Sequence, residues 1–135
     1  MSQENEELVR RLVAAFNAQD PDAASAVLRE DAEWRPAFTG GGAVEGAVYR
    51  GHAGFSRYLK DLSETWVEIE GYIDELRDVG ERLLLFARIR FVGRGSGVEM
   101  TQPITGVFTF RGGKIATAHY YVEREEALEA LGLRE

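Results

Sequence analysis

The spacing of apolar residues changes once along this 135-residue chain, near residue 66. Before that point apolar residues recur every three or four positions, the period of an α-helix, and after it they alternate with polar residues, the period of a β-strand. Helices followed by a run of antiparallel strands predict an α+β fold with the helices on one sheet face. The length is that of one ordinary domain, so we expect a single domain over 1–135.

Three helices are predicted in the first half. The first covers about 3–18, and its apolar stripe is Leu8, Leu12, Val13 and Phe16. Asp20 and Pro21 are typical of an N-cap and first turn, which predicts a second, short helix to about Leu28. The third begins at Gly51-His52, and its stripe is Phe55, Tyr58, Leu59, Leu62 and Trp66.

The strand pattern predicts a curved antiparallel sheet. Its strands are expected at 32–36, 67–77, 82–92, 98–110 and 114–122, with a C-terminal helical turn at 124–131. The glycines of 39–42 predict a loop that is either a lid hinge or a permissive connection. Four acidic residues are expected at a solvated strand edge: Glu68, Glu70, Asp74 and Glu75.

Composition excludes several functions. The net charge is −7 and no Lys/Arg cluster is present, which disfavours nucleic acid and anionic membranes as partners. The chain has no cysteine and only two histidines, so thiolate and multi-histidine metal sites are excluded. No nucleotide, flavin or metal motif is found, and we expect no cofactor. A polar N-terminus without a long apolar run predicts a soluble cytoplasmic protein.

Four segments in this order resemble one superfamily. They are LVRRLVAAFNAQDPDAASAVL, DAEWRPA, YRGHAGFSRYLKDL and ITGVFTFRGGKIATAHYYVE. Together they resemble the nuclear-transport-factor-2-like superfamily, which includes ketosteroid isomerases, SnoaL-like polyketide cyclases and limonene-epoxide-hydrolase-like enzymes. The resemblance implies a cone-shaped curved sheet packed against three N-terminal helices, with a ligand pocket inside the cone.

The carboxylates of the enzymatic members have no counterpart here. By resemblance, the isomerase tyrosine falls on Leu12, the aspartate base at Pro36, and the second aspartate on Thr105 or Gly106. The hydrolase Arg-x-Asp segment corresponds to Arg88-Ile89-Arg90, which lacks the carboxylate. The last three strands hold only Glu99 as an acid, so a cyclase aspartate is also missing. A standard ketosteroid isomerase mechanism is therefore not expected.

Arg88 and Arg90 allow two interpretations. Both share a strand face with Leu84 and Phe86, and the opposite face is wholly apolar. Either both arginines lie in solvent or salt bridges, or, as the isomerase resemblance implies, Phe86, Arg88 and Arg90 point into the cone. A buried arginine would need a partner such as Glu33, Glu99 or an anionic ligand.

The last strand leaves the acid/base residue open. His119 and Tyr121 share one face, and Ala118, Tyr120 and Val122 share the other. The resemblance implies that the face of Ala118, Tyr120 and Val122 lines the pocket. Tyr120 is therefore a better acid/base candidate than His119. A slip of one residue would reverse this assignment, so Tyr121 stays a candidate. His52 is either an exposed first-turn residue or part of the cone mouth.

Three functions follow as hypotheses. The first is a homodimeric pocket protein that binds a small, largely apolar molecule with a polar or anionic group. The second is a cofactor-free isomerase, cyclase or hydrolase in which His119 or Tyr120 is the acid/base and Arg88 stabilises an oxyanion. The third is a protein-interaction domain. The predicted ligand-binding residues are Trp34, Phe38, Tyr49, Tyr58, Phe86, Arg88, Phe108, Tyr120 and Tyr121.

Overall fold

The computed structural model describes residues 2–39, 42–43 and 48–132, with the backbone alone at 2, 38–39 and 42–43. Its helices are α1 (Ser2–Ala18), α2 (Pro21–Ser25), α3 (Gly51–Thr65) and α4 (Arg124–Ala130). Its strands are β1 (Leu28–Arg35), β2 (Phe38–Thr39), β3 (Gly42–Ala43), β4 (Tyr49–Arg50), β5 (Trp66–Val79), β6 (Arg82–Gly93), β7 (Glu99–Arg111) and β8 (Lys114–Tyr121). The predicted α+β fold is confirmed, and the predicted helices and strands occur in the predicted order, but β2, β3 and β4 were not predicted.

The second helix is shorter than predicted. The Asp20 carboxylate accepts hydrogen bonds from the backbone N–H groups of Asp22 and Ala23, as an N-cap should. The helix ends at Ser25, however, and the predicted extension to Leu28 is wrong. Leu28 instead begins β1, where it pairs with Ile115 and is 2% exposed. Burial and strand pairing override the local helix preference of an alanine-rich segment.

The main sheet has six strands in the order β4-β1-β8-β7-β6-β5. All neighbouring pairs are antiparallel except β1 and β8, which are parallel. The predicted antiparallel sheet is therefore corrected at this one pair. The long strands follow each other through tight turns, and Gly112 and Gly113 adopt the positive φ values that the β7–β8 turn requires.

A second, two-stranded sheet replaces part of the predicted glycine loop. β2 and β3 pair in an antiparallel register, with Thr39 opposite Gly42. A loop throughout 39–42 is therefore wrong at both ends of that segment. Gly40 and Gly41, where the lid hinge was predicted, lie outside the described residues.

The helices α1, α2 and α3 pack on one face of the six-stranded sheet, here called the inner face. The core between them contains Leu12, Phe16, Phe55, Leu62, Leu83, Leu85, Phe91 and Phe108. Because side chains alternate along a strand, the apolar face of β6 turns inward. The side of β6 that carries Leu84 and Phe86 is then the outer face.

The outer face is covered in part by α4. Leu84, Phe86 and Val107 are buried against Ala127 and Leu128 of this helix. The C-terminal helix of the same chain therefore shields these apolar residues, and the expected homodimer stays a prediction. No helix in the described part of the chain is long and apolar enough to cross a membrane.

Candidate functional site

A small cavity lies between α1, α3 and the inner face of the sheet. The space within which the centre of a water-sized sphere can move has a volume of about 40 Å³. That is room for about three water molecules. It is lined by Leu12, Val13, Phe16, Trp34, Pro36, Tyr58, Gly71, Tyr72, Leu85, Ala87, Ile89, Ile104 and Tyr120.

Three aromatic residues form one wall of this cavity. The ring of Trp34 lies 5.0 Å from that of Tyr120 and 5.5 Å from that of Tyr58, measured between centroids. Phe55 packs edge-to-face against Trp34, with 4.9 Å between the ring centroids. Tilted and edge-to-face contacts of this kind are the preferred aromatic geometries and fix the ring positions. The wall is therefore rigid as well as apolar.

The hydroxyl groups of this wall stay protonated. Burial raises the pKa of Tyr58 and of Tyr120 well above the ordinary phenol value. The indole N–H of Trp34 lies close enough to the Tyr58 hydroxyl to oppose part of this rise. Tyr72 contributes no hydroxyl to the cavity, since its ring packs against Arg88 on the outer face and its hydroxyl donates to Glu70 at 2.8 Å. Tyr58 and Tyr120 can therefore donate hydrogen bonds to a molecule in the cavity, but neither can remove a proton from carbon near neutral pH.

The indole N–H of Trp34 is buried and has no hydrogen-bond partner among the described residues. Trp34 is 6% exposed. The nearby Tyr58 hydroxyl is the polar group that the N–H approaches, and this contact opposes the rise in the Tyr58 pKa. The nitrogen has almost no accessible surface, so the cavity does not reach it.

None of the described residues that line the cavity is charged or is a histidine. Two of them, Leu12 and Pro36, are the positions where the resemblance implies a catalytic tyrosine and an aspartate base. Thr105 lies on the outer face, opposite Phe86, and Gly106 packs beneath Tyr120. The cavity therefore occupies the expected place in the fold without the acid/base groups of the isomerases.

Arg88 and Phe86 do not point into the cone, so that hypothesis is wrong. The Arg88 guanidinium lies on the outer face, where it binds both carboxylate oxygens of Asp74 at 3.0 Å. Its side chain is 50% exposed and packs over the ring of Tyr72. Phe86 is buried on the same face beneath Arg124. The alternative, that the arginines form salt bridges, is confirmed.

Arg90 shows the same arrangement. It binds Glu68 at 2.9 Å and Glu99 at 3.2 Å on the outer face. Glu68, Glu70 and Asp74 do lie on the edge strand β5, as predicted, but they pair with the arginines of β6. In the described part of the chain no group of three or more acidic or histidine side chains is placed to hold a metal ion.

His119 and Tyr121 also lie outside the cavity. They pair with Val107 and Thr105 on the outer face, and the Tyr121 hydroxyl lies 3.1 Å from His119 Nδ1. Burial lowers the pKa of His119, assisted by the positive charge of Arg35. Tyr120 lies on the inner face. The predicted acid/base residues and Arg88 are therefore not brought together.

The other predicted residues have structural surroundings. Tyr49 is buried beside the cavity wall and donates to Asp61 at 2.9 Å, and Phe108 lies in the core against Tyr120. His52 is half-buried, with Nε2 2.8 Å from the Leu28 carbonyl, so it ties α3 to β1. The side chain of Phe38 lies outside the described residues. Of the predicted ligand-binding residues, Trp34, Tyr58 and Tyr120 line the cavity.

Sequence reasoning missed most of the aliphatic lining. Val13 and Ala87 were expected only on the apolar faces of α1 and β6, and Ile104 was not considered. The helical stripe of α1 and the apolar face of β6 were the available signals. Neither signal distinguishes a packed residue from one beside a small void, since both are apolar and inward-facing.

Comparison with known proteins identifies the family. Residues 9–118 match the family model of the SnoaL-like domain, and no curated protein matches the chain. The chain therefore belongs to the SnoaL-like domain family. A structure of an NTF2-like protein of unknown function from Burkholderia pseudomallei is similar over 95% of this chain and 97% of that one, with 22% identity and a TM-score of 0.75.

Two further structures show how widely the fold is used. A candidate polyketide cyclase from Xanthomonas campestris is 21% identical, with 96% of this chain and 98% of that one covered and a TM-score of 0.72. An LEH-like epoxide hydrolase from M. tuberculosis is 18% identical, with 96% and 86% covered and a TM-score of 0.72. The cone fold is thereby confirmed, but its members have different activities, so the site must be argued from its own residues.

Proposed function

We propose that this chain is a pocket protein that binds a small, largely apolar molecule carrying one polar group in the cavity beneath Trp34. The observation that carries the proposal is the cavity itself, which is apolar, walled by Trp34, Tyr58 and Tyr120, and placed between the helices and the sheet of the cone. Such sites bind by excluding water from apolar surface, and a few polar groups orient the ligand.

An anionic ligand is not favoured. Arg88 was the residue expected to bind an anion, and it lies on the outer face in a salt bridge. The residues known to line the cavity offer no positive charge to offset the desolvation of an anion. The polar group of the ligand is therefore uncharged in this proposal.

Binding is favoured over catalysis. A cofactor-free isomerase, cyclase or hydrolase needs a base or nucleophile beside its substrate. The described lining offers the phenols of Tyr58 and Tyr120, and burial keeps both protonated. His119, the other predicted acid/base, lies on the opposite face of the sheet.

The cavity also limits the size of the ligand. Its volume of about 40 Å³ is far below the roughly 300–1,000 Å³ of pockets for drug-sized molecules. The ligand is then a molecule of a few non-hydrogen atoms, or a single small ring that Ala87 and the aliphatic lining accommodate by small shifts.

Native mass spectrometry of freshly purified protein, beside a denatured sample, tests this proposal. We expect a small nonpeptide adduct that is lost on denaturation, or uptake of an added small cyclic hydrocarbon. Ala87→Leu fills the cavity from the inner face of β6 and should prevent uptake. Uptake that is equal in wild type and in folded Ala87→Leu protein would contradict the proposal.

A homodimer and a cytoplasmic location stay predictions. Three exposed apolar residues lie at one end of the sheet: Val67 on β5, Val98 in the turn between β6 and β7, and Met100 on β7. They support a protein contact at that end of the sheet, although α4 covers the apolar centre of the outer face. Sedimentation velocity across a concentration series would distinguish dimer from monomer.

A further inference from the structure

We infer that small molecules enter the cavity through a mouth between α1 and the edge strand β5, and that Asn17 and Gly71 set the width of this mouth. The inference rests on the proposed function and adds to it the residues that decide which molecules can enter. Three features of the described residues carry it: where the cavity lining is exposed, how α1 is joined to β5, and what a side chain at position 71 would meet.

The lining of the cavity is exposed unevenly. Leu85 and Ala87 of β6 are buried, whereas Val13 of α1, Gly71 of β5 and Ile89 of β6 are half-buried. Gly71 pairs with Ile89 on the neighbouring strand, and a Cβ atom at Gly71 would lie 3.8 Å from Cγ1 of Val13. The three half-buried residues are therefore contiguous, and they mark a side on which the cavity reaches solvent.

Two hydrogen bonds hold this side of the cavity together. Asn17 Nδ2 donates to the Gly71 carbonyl at 3.0 Å, and Asn17 Oδ1 accepts from the Gly71 N–H at 2.7 Å. Both bonds are exposed to water, so breaking them costs little net free energy because water replaces each partner. β5 is also the last strand of the main sheet and has no neighbouring strand of that sheet on its outer side. The seam between α1 and β5 can therefore widen.

The glycine at position 71 leaves a gap in this seam. An added Cβ atom would lie 3.6 Å from Asn17 Oδ1, 3.8 Å from Val13 Cγ1 and 3.9 Å from Phe16 Cδ2. These are ordinary van der Waals distances, and every one of these atoms belongs to α1. A methyl group here would therefore fill the space between β5 and α1 without strain and would narrow the mouth.

The mouth selects by width and by charge. Val13 lies on one side of it and Ile89 on the other, so a molecule that passes between them loses its contact with water. That loss is costly for a charged group and small for an apolar one. The mouth therefore admits slim, uncharged molecules, and wider ones enter only when the bonds between Asn17 and Gly71 break.

The test compares a narrow probe, xenon, with a wider one, methylenecyclopentane. Each is added to full-length wild type, Asn17→Ala, Gly71→Ala and Asn5→Ala protein, and NMR exchange measurements give the entry rate, the release rate and the affinity. Xenon is suitable because it binds in apolar cavities. Asn5→Ala is the control, since Asn5 lies on α1 and does not line the cavity.

We expect Asn17→Ala to speed both entry and release of methylenecyclopentane by about tenfold, as two lost hydrogen bonds of ordinary net strength imply. Gly71→Ala should slow both rates, and more for methylenecyclopentane than for xenon. Affinity should change less than either rate in both variants, because a mouth affects passage in both directions. A merely structural role would change stability or affinity without moving the two rates together.

Other outcomes separate this inference from the proposed function. If the probes bind wild type but exchange equally fast in all of the proteins, molecules enter elsewhere, for example beside the half-buried Tyr120. The inference is then wrong and the pocket stands. If neither probe binds wild type, the proposed function fails and this inference fails with it. If Asn17→Ala does not fold, the comparison of Gly71→Ala with wild type carries the test.

Discussion

The side-chain amide of Asn17 binds both backbone groups of Gly71. Asn17 Nδ2 donates to the Gly71 carbonyl at 3.0 Å, and Asn17 Oδ1 accepts from the Gly71 N–H at 2.7 Å. The two residues are 54 positions apart in the sequence and join the end of α1 to the edge strand β5. Val13, Phe16 and Gly71 all line the cavity, so this pair of hydrogen bonds holds two of its walls together.

Asn17→Ala should lower the free energy of unfolding by about 1–2 kcal/mol, because it removes two hydrogen bonds of ordinary strength. Chemical denaturation measures the change, and hydrogen exchange at the Gly71 amide should become faster. Asn5→Ala is the control, since Asn5 lies on the same helix and makes no such contact to the sheet. Equal stability of the two variants would show that the Asn17 bonds contribute nothing.

Gly106 lies opposite Tyr120 on the neighbouring strand and packs directly against its ring. A methyl group at this position would lie 2.9 Å from Cε2 of Tyr120 and 3.1 Å from Cε1 of Phe108. Gly106→Ala should therefore destabilise the protein by about 1–3 kcal/mol and displace the Tyr120 ring.

Gly71→Ala is the matched control, because the nearest atom to its added methyl group would be Asn17 Oδ1 at an ordinary 3.6 Å. Its effect should stay within about 0.5 kcal/mol. Denaturation of both variants compares the two sites. A Gly106→Ala protein as stable as wild type would contradict the tight packing of the aromatic wall.

The buried phenols predict a loss of stability at alkaline pH. Burial raises the pKa of Tyr58 and Tyr120 in the folded state above the unfolded value of about 10. Their contribution to stability is complete below that unfolded pKa, and it is lost as the pH rises towards the folded pKa. Phenolate absorbance should therefore show two of the five tyrosines ionising only with unfolding.

Tyr58→Phe and Tyr120→Phe should each remove one of these late-ionising groups from the absorbance titration. Ionisation of all five tyrosines in a single step while the protein stays folded would mean that neither hydroxyl is buried in the way described.

Arg88 should not contribute to binding in the cavity. Arg88→Gln breaks the salt bridge to Asp74 on the outer face, whereas Ala87→Leu, one residue earlier, changes the inner face. Methylenecyclopentane affinity, measured by ligand-observed NMR, should be unchanged in Arg88→Gln and lost in Ala87→Leu. The reverse result would place the ligand on the outer face.

The helices and the alternation of the strands were predictable because each depends on local periodicity. The stripe around Leu12 placed α1 correctly, and alternation separated Tyr120 from His119 and Tyr121. Alternation alone could not decide which face is the inside, since Phe86 made the outer face of β6 look partly apolar as well. The residues that bury Phe86 belong to α4, about 40 positions further along the chain.

The cavity could not be predicted in detail for a different reason. Its volume depends on how Trp34, Tyr58 and Tyr120 pack against one another, and packing is not encoded in the spacing of apolar residues.

The central claim is that the cavity beneath Trp34, and not the outer face of the sheet, is the binding site for small apolar molecules. Diffraction from crystals held under xenon tests it most directly, because xenon enters apolar cavities of this kind. We predict a single strong xenon peak between Trp34, Tyr58 and Tyr120 that is absent in Ala87→Leu. Xenon found only on the outer face of the sheet, or no bound xenon at all, would contradict the claim.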